Sequence, residues 1–502
     1  MNESQRTAAG YHRTTSYRRH ELTPHRLDWA NQPALDKSYG DRPTVSLIGG
    51  PHLTPVDYTD LVMRCPAESA ERPSALTHQD LTTILTLAHT VTARQTMASG
   101  EPFYFRSVAS AGALYPFETY LAAHCINGLD PGLYHYRMFK ACLTKLRSGS
   151  LPVEPYVAES VAATFYITGI FFRSAWKYRG RAYRYVLLDA GHQLENLRLA
   201  LRALGLVFSI HLDFDDRRTG TLLGLDPERE VCLISIHLYV DSARHPSPPN
   251  VDDGFEPPQW MQRASRVSDR ELSYAEIRNV HRAGSMSDMT PASSDAPHAL
   301  GREPDSWTPL ALGHPLAAAS YTDVLWQRRS RRNFVPHAVD PDHWTTFMML
   351  ISGSMNETSP LPRSCGQSLS VGILAGPGQP VAPGFYLLDA GSHRVGLLHA
   401  GVLMEHMAAA CLDQMWLKHA GMHLLFMSDL ATVDRRWGAR GYRYAMIEAG
   451  RLGQQAYLAA TAVGWGACGI GAFYDREAAD LLQLPDDGML LYLVGVGLIK
   501  KR

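Results

Sequence analysis

In Gln327-Arg328-Arg329-Ser330-Arg331-Arg332-Asn333-Phe334, four guanidinium groups and a hydroxyl fall within five residues. Guanidiniums match phosphate oxygens two at a time and keep their charge when partly buried. The serine hydroxyl adds a further donor. Arg328, Arg329, Ser330 and Arg332 therefore read as an anchor for a phosphorylated cofactor, and the plain alternative is a solvated basic patch. A second set lies earlier, where Ser110-Ala111-Gly112 precedes Tyr115 and Trp176-Lys177-Tyr178 follows. A lysine beside a tyrosine can move protons if burial lowers the lysine pKa towards neutrality; otherwise it is an ordinary surface pair. A third set is Gly464-Trp465-Gly466-Ala467-Cys468-Gly469-Ile470-Gly471. Glycines there would let backbone approach a flat ligand, or simply make a tight loop.

What positions these groups is a duplicated unit. Tyr58-Thr59-Asp60 repeats as Tyr321-Thr322-Asp323, Ser110-Ala111-Gly112 as Ser364-Cys365-Gly366, and Pro131 to Tyr134 as Pro383 to Tyr386. Tyr183-Arg184-Tyr185 with Asp189-Ala190-Gly191 repeats as Tyr442-Arg443-Tyr444 with Glu448-Ala449-Gly450, and Leu222 to Leu225 repeats as Leu481 to Leu484. Blocks in the same order at nearly constant separation mark an internal duplication, expected to fold as a pseudo-dimer within one chain.

The expected divisions are an N-terminal arm (1–54), a first domain (55–242), a Pro-, Ser- and Asp-rich linker (243–315) and a second domain (316–502). The arm is read as extended, with limited structure of its own. The linker carries a short helix near 273–281. Each copy reads as α+β. Apolar residues at 187, 190, 194, 197, 201 and 204 keep helical spacing and predict a long buried helix, with an alanine-rich counterpart beginning near Tyr444. Strands are predicted at 118–124, 132–136, 231–240, 371–375, 384–388 and 489–498.

The copies differ where chemistry would be done. Cys65, Pro66, Ala67 and Ser69 stand opposite the anchor, and Val207, Ile210 and Leu212 stand among the residues opposite the glycine-rich stretch. The second copy has Arg435-Arg436-Trp437 where the first has Lys177-Tyr178 nearby. One copy lacks the anchor and the other lacks the lysine–tyrosine pair, so one composite site between them is expected. His192 and His211 read as core or helix-surface histidines. Cys365 and Cys468 read as small apolar residues near the ligand, and Trp465 could stack there or pack in the core.

The chain has 502 residues, 45% of them hydrophobic and 19% charged, with a net charge of −1. That balance gives no global field for nucleic acid or an anionic membrane. The longest apolar runs are too short to span a bilayer. Seven cysteines without a C-x-x-C pair argue against a disulfide framework or a zinc site. The first residues lack the apolar core of a secretory signal, so a cytoplasmic protein is expected.

Both halves resemble the flavin-dependent nitroreductase fold, with QRRSRRNF similar to its Arg-x-Ser-x-Arg element. More narrowly, SAGALYP (110–116), WKYRGRAYRY (176–185), DAGH (189–192) and LDWANQP (27–33) make the first half resemble SagB-type azoline dehydrogenases. The resemblance implies two tandem nitroreductase-like domains and one FMN per chain. Arg328, Arg329, Ser330 and Arg332 would hold the phosphate, helped by Lys500, Lys501 or Arg502. Gly466, Ala467, Cys468 and Gly469 would lie along the isoalloxazine with an N–H towards N5, and Ser110, Ala111, Gly112 and Tyr115 would face it from the first half. Lys177 or Tyr178 would take the proton in oxidation of a peptide thiazoline or oxazoline. The expected partners are that peptide and a cyclodehydratase, with the arm and linker as candidates for the contact; neither nucleic acid nor membrane is expected. The alternatives are an NAD(P)H-dependent nitro- or ene-reductase and a flavin-free scaffold that presents peptide.

Overall fold

A computed structural model describes residues 6–500 apart from 23–24, 48, 64–72, 74, 98–99, 101, 154–156, 158–159, 242–253, 288–299, 301, 311–318 and 357–361. Two antiparallel seven-stranded sheets share one strand order. In the first, neighbours run Thr44–Ser46, Cys142–Ser148, Gly132–Arg137, Phe117–Ala123, Val161–Ile170, Glu230–Tyr239 and Phe208–His211. In the second they run Trp307–Pro309, Arg394–Ala400, Gly384–Asp389, Ser370–Ala375, Met422–Asp429, Gly488–Gly497 and Gly466–Ile470. The six strands expected from alternation and turn signals are all present, within a residue or so at each end. The glycine-rich stretch is an edge strand and not the tight loop that was its plain alternative, because its backbone pairs with Gly488–Gly497 from Gly466↔Gly497 to Ile470↔Leu493.

The long helices Ala182–Ala203 and Arg440–Ala462 cross against each other, buried on nearly every face. Their approach is backbone on backbone. A Cβ on Gly191 would lie 2.1 Å from the Ile447 carbonyl oxygen, and one on Gly450 would lie 2.1 Å from that of Leu188. Glycine at both positions is thus a requirement of the crossing. A pseudo-twofold axis runs through it and repeats the flanking ion pairs. Arg181 and Arg184 reach Asp475 at 2.7 and 2.6 Å, while Arg440 and Arg443 both reach Asp216 at 2.6 Å.

The stretch expected to be an extended arm has structure that ties the halves together. Ala8–Thr14 is a helix capped by Thr7, and its first amides donate to Asp434 at 2.6 and 3.0 Å. It buries Ala8, Ala9, Tyr11 and His12, while Thr44–Ser46 adds an edge strand to the first sheet. Within 243–315, helix Ala275–Ala283 buries Ile277 and Val280, and Trp307–Pro309 pairs with the second sheet. Among the described residues no helix is long and apolar enough to cross a membrane.

Candidate active site

Extended backbone at 328–332 explains where the anchor residues go. Ser330 bridges Ala467 in parallel, and the Arg331 amide donates to the Ala467 carbonyl at 2.8 Å. Side chains of extended backbone alternate between faces. Residues 328, 330 and 332 thus share one face and 329 and 331 the other.

Arg328 is buried. Its Nε and Nη2 donate to the Ser107 and Arg106 carbonyls of the first half at 2.9 and 2.7 Å. Its guanidinium lies 5.3 Å from the Tyr457 ring centre, and Nη1 has no hydrogen-bond partner among the described residues. Arg329 turns the other way. It donates to the carbonyls of Trp326, Arg328 and Thr92 and lies 5.5 Å from the Phe105 ring centre. Ser330 and Arg332 border a cleft whose other walls include Ser110, Ala111, Gly112, Asp189, His192, Tyr457, Cys468, Gly469, Gly471 and Tyr492. The cleft, partly open to solvent, has a volume of about 100 Å³. Both rim residues, Ser330 and Arg332, are exposed.

Lys177 and Tyr178 end the helix Phe171–Tyr178 and come down on Gly112. A Cβ on Gly112 would lie 2.8 Å from Tyr178 Oη and 3.2 Å from Lys177 Nζ. Partial burial pushes the Lys177 pKa down, and the nearby Arg332 charge pushes it further. Burial, with smaller contributions from Tyr185 and Asp189, raises Tyr178 well above the usual phenol range. Lys177 is thereby biased towards the neutral amine and Tyr178 towards the neutral phenol.

Other expected groups sit at varying distance from the cleft. Tyr115 is buried behind the turn, with the Arg106 guanidinium 3.8 Å from its ring centre. Gly466 and Ala467 hold the anchor strand, while Cys468 and Gly469 line the cleft. The Gly469 N–H donates to Tyr457 Oη at 2.6 Å. Lys501 and Arg502 lie outside the described residues, and the Lys500 amide donates to the Asn333 carbonyl at 3.0 Å. Cys365 does not border this cleft; it lines a separate cavity with Gly366 and Glu448. Trp465 is a core residue packed on Phe347, with ring centres 5.7 Å apart.

Sequence assigned no role at the cleft to four residues that line it, Asp189, His192, Tyr457 and Tyr492. Asp189 accepts from Ser110 Oγ at 2.5 Å and from the Ala111 amide at 3.3 Å; burial raises its pKa to about 7 against those two bonds. His192, expected as a core or helix-surface residue, is buried yet borders the cleft. Its Nδ1 is 2.9 Å from Gln454 Oε1 and its Nε2 3.0 Å from Tyr492 Oη. Burial lowers its pKa to about 4, so it stays neutral at pH 7. Tyr457 Oη also meets Ser330 Oγ at 3.1 Å. Comparing the polar residues of the two long helices, rather than their apolar ones, would have exposed three of the four.

The lining fits a flavin phosphate in its donor set. It offers Ser330 and Arg332 beside a strand where a Cβ on Gly469 would strike Tyr492 Oη at 1.8 Å, and the unpartnered Nη1 of Arg328 is buried outside the lining. Among the described residues no group of three or more His, Cys, Asp or Glu is arranged to hold a metal.

The pattern of the nitroreductase family matches residues 72–236 and 388–498. A Methanocaldococcus jannaschii protein provisionally named as a nitroreductase is 37% identical over 91 residues, 18% of this chain and 46% of its own. The trifolitoxin-processing protein TfxB of Rhizobium leguminosarum bv. trifolii is 26% identical over 238 residues, 45% of this chain and 64% of its own. This chain thus spans between about half and two thirds of these relatives. A crystal structure from Anabaena variabilis, described as that of a nitroreductase, superposes with a TM-score of 0.76 at 23% identity, covering 99% of this chain and 100% of that one. That likeness establishes the shared α+β fold across both halves.

Proposed function

We propose, from the premise that this chain belongs to the nitroreductase family, that it is an FMN-dependent oxidoreductase that converts thiazoline or oxazoline rings of a peptide into aromatic azoles. The observation that carries the reading is the meeting of two sets of residues. Lys177 and Tyr178 from the first half rest on Gly112, and Gly112 shares a cleft with Ser330 and Arg332 from the second. An ordinary nitro-compound reductase gives no reason for that lysine–tyrosine pair. The likeness to a protein named for processing trifolitoxin supports a role in modifying another biosynthetic product.

Arg332 and Ser330 would hold the phosphate, with Arg328 behind them. The chemistry that FMN supplies when bound is a two-electron acceptor. Lys177, biased to the amine by burial and Arg332, is suited to take the proton from the azoline Cα as two electrons leave with the Cβ hydrogen. Tyr178, held as the neutral phenol, donates a hydrogen bond and orients the ring. A cyclodehydratase is the class of enzyme that would form the azoline.

Flavin absorbance and turnover test this together. One FMN per chain is expected, with oxidation of a synthetic azoline peptide that falls by about 10²–10⁴ in Lys177→Ala. Two FMN per chain would overturn the composite site. Rapid bleaching of the flavin by NADPH, without azoline turnover, would replace the reading with a reductase. A flavin-free protein that cannot be reconstituted would leave a peptide-presenting scaffold.

A further inference from the structure

The turn beneath Lys177 and Tyr178 has an unusual backbone. Gly112, Ala113 and Tyr115 have φ of 65, 55 and 46°. Residues with side chains hold such angles where their surroundings enforce them. Here the enforcement converges on one carboxyl. Ser110 Oγ accepts from the Tyr115 amide at 2.8 Å and donates to Asp189 Oδ2 at 2.5 Å, and the Ala111 amide donates to Asp189 Oδ1 at 3.3 Å. From outside the turn, Arg173 Nη1 donates to the Tyr115 carbonyl at 3.1 Å.

Asp189 is buried and, among the described residues, has no cation at ion-pair distance. Its counterpart in the second copy, Glu448, is gripped by Arg451 at 2.6 Å. A buried carboxyl without a cation is unfavourable unless hydrogen bonds satisfy it. Asp189 is satisfied by the turn itself.

We propose that Asp189 is a positioning residue for the Lys177–Tyr178 pair: through Ser110 and Ala111 its carboxylate fixes the turn 112–115, with Gly112, Ala113 and Tyr115 left-handed, and both side-chain ends rest on Gly112 of that turn. This rests on the reading of that pair as the proton-transfer groups, but its test needs no azoline. The groups facing Asp189 are Tyr178 from the neighbouring helix, Tyr115 from the turn and Tyr492 from the sheet. Burial is the main cause of the raised pKa of all three, and the Asp189 charge adds to it. His192, Tyr185, Tyr457, Cys468 and Arg332 complete the cleft.

The test is the titration of Lys177 in the full-length protein. Competitive acetylation with acetic anhydride, read by mass spectrometry between pH 7 and 11, would be compared in wild type, Asp189→Asn, Asp189→Ala and Ser110→Ala. Hydrogen exchange of the 107–117 segment would be followed in parallel. In wild type Lys177 is expected to titrate below the ordinary lysine value. In all three variants it should move back up towards it as the turn releases the side chain, with exchange in 107–117 about tenfold faster or more. A merely structural role would alter melting temperature and leave the Lys177 titration in place, and that result overturns the proposal. An ordinary Lys177 titration in wild type overturns it too. Should Asp189→Ala fail to fold, the near-isosteric Asp189→Asn decides. If wild type oxidises no azoline, the function assigned above fails, while the positioning claim still stands or falls on the titration.

Discussion

The pseudo-twofold axis makes two clefts from one ancestral design, and they have been filled in opposite ways. In the first, Asp189 and His192 face Gln454 and Tyr457, a network without an ion pair that leaves room beside Ser330 and Gly469. The equivalent positions across the axis are Glu448 and Arg451, facing Glu195 and Arg198. There Arg451 reaches Glu448 at 2.6 Å and Glu195 at 3.3 Å, and Arg198 reaches Glu195 at 2.8 Å. Two buried guanidiniums occupy the place that a histidine and a tyrosine leave free for a ligand. A closed ion network stabilises a pseudo-dimer core. An open one without ion pairs is what a site must tolerate in order to bind.

The difference can be broken most severely at Arg451. Replacing it with alanine strands Glu448 without a cation and leaves Glu195 to Arg198 alone, a loss expected at about 3–5 kcal/mol. Denaturant unfolding would measure it, and a loss under about 1 kcal/mol would mean that the ion network does not hold the second cleft.

Protons sharpen the comparison, because carboxyls of the two clefts should carry opposite pH signs. Burial lifts Asp189 to about 7, far above its unfolded value, so the native state holds a proton that the unfolded chain has released. That group therefore weakens folding progressively as pH rises from about 4 to 7. Burial also pushes Glu195 up, but Arg198 and Arg451 overcome it and hold the group below the ordinary carboxylate range. Glu195 thus contributes stability above its unfolded pKa, lost as pH falls towards its folded one. Asp189→Asn should gain stability over wild type between pH 4 and 8, on the order of 4 kcal/mol if the full shift is expressed. Glu195→Gln should be destabilising at neutral pH and less so in acid. Parallel slopes in paired denaturation series would contradict the assignment. A stabler Asp189→Asn with a looser turn would be a trade of function against stability.

Ligand affinity gives the smaller effects. Arg332→Ala should weaken FMN binding by about 1.5–3 kcal/mol, roughly ten- to a hundredfold, measured by flavin fluorescence titration. Arg329→Ala should change it by less than about threefold, since that side chain is engaged with carbonyls on the opposite face. Equal losses in the two would mean that the alternation along 328–332 does not govern the anchor.

Much of this was legible in residues alone. Repeated blocks disclosed the duplication, and alternation with turn signals located six strands of the sheets. Helical spacing located the first long helix and the repeat located its partner. Sequence left the glycine-rich stretch between a backbone close to a ligand and a tight loop, because glycines signal turns locally. Its strand state depends on Gly488–Gly497, which lies beyond any local window. The N-terminal helix escaped because its buried face consists of Ala8, Ala9, Tyr11 and His12, too short and polar a run to stand out.

By itself the sequence determined that two related units exist, that one carries a cluster of guanidiniums, and that the other carries Lys177-Tyr178. Tertiary structure decided which side chains share a cavity. Extended pairing with Ala467 turns Ser330 and Arg332 inward and Arg329 away, and the crossing at Gly191 and Gly450 brings His192 to Gln454. The reason is physical: chemistry depends on contacts between groups far apart in the chain, such as Ser330 with Tyr457 and His192 with Gln454, and only strand pairing and helix packing specify those.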